Sequence, residues 1–96
     1  GSFGFNLPIA SLIGDATKVK VTLSFDNPKM RLKKEVFTIS EIAQDEITNN
    51  FIEGEMTDFS GDANASLTVL IESKEGFKSK TSTLISLARK LGEENV

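Results

Sequence analysis

The most regular alternation of apolar and polar positions covers residues 17–25, TKVKVTLSF. Val19, Val21, Leu23 and Phe25 alternate there with Lys18, Lys20, Thr22 and Ser24. A period of two separates the faces of a strand, so the pattern predicts one buried face and one wet face. Residues 65–73, ASLTVLIES, repeat it with Leu67, Val69 and Ile71 on the core side. Residues 51–58, FIEGEMTD, read as a strand weakened by Gly54. Residues 28–39 are open to two readings. Met30, Leu32 and Val36 share strand parity, whereas Leu32, Val36, Ile39 and Ala43 also fit helical spacing. The β-prone residues 36–39 favour a strand over 30–39. A turn at Asp26, Asn27, Pro28 and Lys29 would pair it with 17–25 as a hairpin.

Three other segments carry helix signals. Pro8 suits a first helical turn, Ile9, Leu12 and Ile13 share one side, and Gly14 is placed to stop it, which predicts a helix over 7–13. Thr38 and Glu41 have capping-box spacing before a helix over 40–49, with Ile42, Ala43 and Ile47 inward. Leu84, Ile85, Leu87, Ala88 and Leu91 form an apolar stripe from about residue 79 to 91. Arg89 and Lys90 fall in its last turn and Gly92 stands as its stop. The resulting order, α-β-β-α-β-β-α, predicts an α+β fold: a four-stranded, mostly antiparallel sheet with helices packed on one face. Residues 3–92 form a single domain in this reading. Residues 1 and 2 look like the scar of a removed tag, and residues 93–96 like a frayed tail.

Composition narrows the chemistry. The chain of 96 residues has no Cys, His, Tyr or Trp, and its seven aromatics are all Phe. Disulfides, His- or Cys-based metal sites and triads built on His are therefore absent from the chain. No apolar run approaches the roughly 20 residues of a membrane-spanning helix. The cysteine count leaves the compartment unknown, since cytosol and exterior both allow it; the cytoplasm is preferred.

Charge is distributed unevenly. Residues 16–34 carry a net +5, residues 35–73 carry nine acids and no base, and residues 74–90 carry a net +4, within a total of −3. Basic strands can lie beside acidic ones and pair across a sheet. Alternatively the surface has one patch of each sign, which steers association and docks copies head to tail. Lys18, Lys20, Lys29, Arg31, Lys33 and Lys34 make the candidate basic patch, and Glu53, Glu55, Asp58 and Asp62 the candidate acidic one. On these features the expected role is that of a non-enzymatic protein-interaction or assembly module. Its partners would be another protein or copies of itself, with no cofactor, no metal and no membrane.

Two other roles are weighed. The basic 18–34 hairpin could contact phosphates as a nucleic-acid accessory domain, although no Tyr or Trp is present to stack on bases. The grouped carboxylates could hold Mg²⁺ or Ca²⁺ as a metal-dependent enzyme. Counting from Asp58 as the first position of a calcium loop, however, Gly61 falls fourth and Val69 twelfth, where the loop needs Gly sixth and Glu twelfth.

Overall fold

A computed structural model of the chain describes residues 1–57 and 63–87. Seven strands follow in chain order: β1 (Ser2–Ala10), β2 (Ala16–Phe25), β3 (Met30–Leu32), β4 (Val36–Ile42), β5 (Ile47–Met56), β6 (Ala63–Glu72) and β7 (Lys78–Leu87). They form two antiparallel sheets, one ordered β1-β5-β3 and the other β4-β2-β6-β7. The fold is all-β, and no described residue is helical. This corrects the expected α+β architecture.

The core lies between the sheets. Val19, Val21 and Leu23 of β2 and Leu67 and Val69 of β6 meet Ile9 of β1 and Ile52 of β5. Alternation placed the β2 and β6 residues correctly, because each strand has one face on the core and one in solvent. A second cluster joins Met30, Met56 and Ala65 under Phe3, whose ring packs edge-on to Phe25 at 5.9 Å.

Over its described residues each expected helix is a strand or a turn, for a local reason. Residues 3–9 also alternate: Phe3, Phe5, Leu7 and Ile9 face inward while Gly4, Asn6 and Pro8 are exposed. Pro8 sits on β1, an edge strand, where a sheet tolerates proline. Thr38 opposes Lys20 and Glu41 opposes Thr17 inside the β2–β4 ladder, so their capping-box spacing caps nothing. Residues 43–46 turn the chain, with Asp45 at φ 65°. Residues 79–83, SKTST, are poor helix formers, and all ten residues of β7 pair with β6. Ala88, Arg89, Lys90, Leu91 and Gly92 lie outside the described residues.

The expected pairing of 17–25 with 30–39 forms only in its second half: residues 36–39 pair antiparallel with 19–22, while 30–32 join the other sheet. Asn27 accepts the Lys29 N–H at 3.0 Å, so the turn exists, but it hands the chain across to the other sheet. There β3 pairs with β5, and β2 takes β4 and β6 as its neighbours.

One backbone irregularity positions the surface. Ala16 and Ile42 face inward as a pair, and so do Val19 and Ile39 three residues away. An odd step reverses the faces of both strands together. Lys18, in the left-handed region at φ 47°, makes that reversal in β2. Beside it the β6–β7 turn is latched down. The Glu75 carboxylate accepts the Thr17 N–H at 2.9 Å and the Thr17 hydroxyl, while the Thr17 carbonyl accepts the Lys74 N–H at 2.9 Å. The Thr17 hydroxyl and N–H lower the Glu75 pKa to about 2. A lowered carboxylate contributes stability above its unfolded value, near 4.5, and loses it as pH falls through about 2. Glu75→Gln is therefore expected to melt below the parent at pH 7 and to converge with it by pH 2. Thermal scans from pH 7 to 2 check this; a gap that stays constant over that range would contradict it.

Candidate functional site

The sheets differ in width, and this exposes β7. The core sits on β2 and β6, so the inward face of β7 at Ser79, Thr81 and Thr83 is exposed, and Ile85 is half-buried. Its outward face, Lys78, Lys80, Ser82, Leu84 and Ser86, is exposed too. One edge of β7 is paired along its full length with β6, and among the described residues no strand pairs with the other. The strand is ten residues long and has neither Pro nor Gly. Such an edge presents a row of free N–H and C=O groups able to template another strand.

The other edges are less suited to this. β1 carries Pro8, and β3 is three residues long. The remaining free edge, β4, has seven residues and carries Glu41 on the strand. The two edges of the four-stranded sheet thus have opposite character, β7 basic and β4 acidic.

Eight of the ten candidate charges lie among the described residues, spread over both sheets and the segments between strands. Lys18 and Lys20 belong to β2 in the four-stranded sheet, where one cross-strand row reads Thr38, Lys20, Glu72, Lys78. Arg31 opposes Glu55 in the other sheet. Lys33, just past β3, reaches Glu53 at 3.5 Å, with both side chains more than half exposed. Two of the bases therefore face two of the acids across a ladder, an arrangement worth at most about 1 kcal/mol per exposed pair. Lys29 lies in the β2–β3 turn. Lys34 lines a shallow groove with Phe37, Asn49 and Glu53. Asp58 and Asp62 lie outside the described residues. Among the described residues no three acidic side chains gather as a metal ion would require.

Sequence reasoning missed a second feature, an open apolar pocket of about 480 Å³ at the end of the sandwich. Ile9, Leu12, Ile13, Ile71 and Phe77 line it. Two of its serines are already engaged: the Ser11 hydroxyl donates to the Gly14 carbonyl, and Ser73 Oγ accepts the Phe77 N–H at 3.2 Å. The helix expected over 7–13 concealed it by turning Leu12 and Ile13 inward, whereas they are 74% and 84% exposed.

The described residues thus form two antiparallel sheets packed on a shared core, with β7, whose charges are lysines, as one edge strand. The chain matches no protein-family profile and no curated protein sequence.

Proposed function

We propose that this chain is a protein-interaction module that binds a β-strand along the free edge of β7. The observation that carries this reading is the edge itself: a ten-residue strand whose residues 78–84 are exposed on both faces, with no proline, glycine or inward-pointing charge to blunt it. Main-chain hydrogen bonds supply affinity in strand addition, and side chains select the partner. Lys78 and Lys80 are the only charges on β7, so the preferred partner strand carries acidic residues facing them.

A capped synthetic peptide of alternating Thr and Val between two Glu residues tests this. Its titration into the full chain is expected to move the amide resonances of β7, with affinity falling between roughly 50 and 500 mM salt as the Debye length shrinks about threefold. Replacing Lys78 and Lys80 together by Glu is expected to weaken binding about tenfold, the summed effect of two exposed cross-strand pairs. Resonance changes confined to the apolar pocket, or none at millimolar peptide, would overturn the proposal.

A further inference from the structure

We infer that the strand docking on β7 is β4 of a second copy of this chain, which makes the module self-assembling in a head-to-tail row. The inference rests on the reading of β7 as a docking edge and adds the identity of what docks. Its first support is direction. β4, β2, β6 and β7 are each antiparallel to the next, so β4 and β7 point in opposite senses. A copy set alongside in the same orientation therefore lays its β4 antiparallel to β7, and the sheet continues from one molecule to the next without a break in pattern.

The second support is a register in which two independent features match. Val36 on β4 and Leu84 on β7 are large apolar residues on the outward faces of the two free edges, 48% and 67% exposed. Placing Val36 opposite Leu84 sets Thr38 opposite Ser82 and Ser40 opposite Lys80. The next residue, Glu41, then comes beside Lys80 and Lys78, acid against base. A single alignment covers the two exposed apolar residues and pairs the edge charges. It is antiparallel and keeps outward faces with outward faces from Val36 to Ser40, which a slip by one residue would destroy; Glu41, past the odd step, falls opposite Ser79, between the two lysines.

The third support is room. The three-stranded sheet does not cover β7, whose inward residues Ser79, Thr81 and Thr83 are exposed. Among the described residues no packed layer has to be displaced before a neighbouring molecule reaches that edge. Because the contact joins two different edges, it is heterologous: each added copy leaves a fresh β7 at one end and a fresh β4 at the other. Growth is open-ended rather than a closed dimer.

Mass measured by light scattering on the full chain tests this from about 10 µM to 1 mM. The expected result at roughly 50 mM salt is an average mass that rises with concentration through successive multiples, and that falls toward the monomer at 500 mM. Lys78→Glu with Lys80→Glu in one chain, and Glu41→Lys in another, are each expected to lower association about tenfold or more. Mixing the two variants is expected to restore it, because each then meets an edge of opposite sign. All substituted positions are exposed, and a melting temperature near the parent's verifies that the variants fold. A chain that stays monomeric at 1 mM while the synthetic strand peptide still binds β7 would overturn the second copy as occupant and leave the module reading standing. Failure of both experiments removes both proposals. Association that stops at a closed dimer, or that the charge reversals leave unchanged, would likewise overturn the β4–β7 contact.

Discussion

Leu67→Ala is expected to lower stability by about 3–4 kcal/mol, the usual range for a buried leucine cut to alanine. Leu67 is fully buried in β6, between Phe25 of β2 and Thr83 of β7 in the ladder. The loss combines the transfer free energy of the removed carbons with the cavity that two close-packed sheets cannot collapse into. For a domain of this size each kcal/mol shifts the melting temperature by roughly 4–8 °C, so a drop of about 15–25 °C is expected. Leu84→Ala supplies the contrast. Leu84 is 67% exposed, and its truncation is expected to stay within about 0.5 kcal/mol in the dilute chain. A helix over 79–91 would have placed Leu84 in its apolar stripe and made the two truncations comparable. Equal losses in urea unfolding would therefore contradict the strand assignment of β7.

Gly54→Ala is expected to be the more damaging of two glycine substitutions, at about 2–3 kcal/mol for an added carbon in a site with no room. A Cβ at residue 54 would lie 2.4 Å from Cζ of Phe3 and 2.5 Å from the Arg31 carbonyl oxygen. The ring could shift, but the carbonyl belongs to β3, which pairs with β5 here. Relief requires the two strands to part. Gly4→Ala looks similar by distance, 2.4 Å from Cζ of Phe51. Its obstacle, however, is a 67% exposed ring that can swing into solvent, and a loss below about 1 kcal/mol is expected. Removing Phe3 as well should fail to rescue Gly54→Ala, since the carbonyl contact remains. Full rescue would show that the ring alone sets the constraint.

These glycines show what the sequence could and could not convey. Gly54 reads in sequence as a weakness in a strand. In the fold it is the place where Phe3 and the β3 backbone come close, and only the pairing of β5 with both neighbours reveals that. The strands at 17–25 and 65–73 were legible because each has one face on the core and one in water, so hydropathy alternates cleanly. The strand at 2–10 alternates as well, but Pro8 and the Ile9, Leu12, Ile13 spacing offered a competing helical pattern. Short apolar runs fit both periods, and the choice falls to long-range pairing. β7 was misread because its inward face is largely Ser and Thr. An overhanging edge strand buries little on either face, so hydropathy carries almost no strand signal there, and Leu84, Ile85 and Leu87 stood out as a stripe instead.

The charge pattern was only partly informative for a similar reason. The run of nine acids without a base reflects chain order, and among the described residues the fold spreads its acids over two sheets and the turns between strands. Two of them come to oppose Arg31 and Lys33. The asymmetry that survives folding is smaller: Glu41 on one edge of the four-stranded sheet and two lysines on the other. It became visible only once β4 and β7 were known to be those edges.

Amide hydrogen exchange along β7 tests the free edge most directly. In an antiparallel strand alternate N–H groups point to opposite neighbours. In the dilute chain at high salt, alternate amides of β7 are expected to exchange slowly, bonded to β6, and those between them at nearly the rate of open solvent. The fast set is expected to become protected when the acidic strand peptide is added. Uniform protection along β7 in the dilute chain, or a fast set that the peptide leaves unchanged, would contradict an open docking edge.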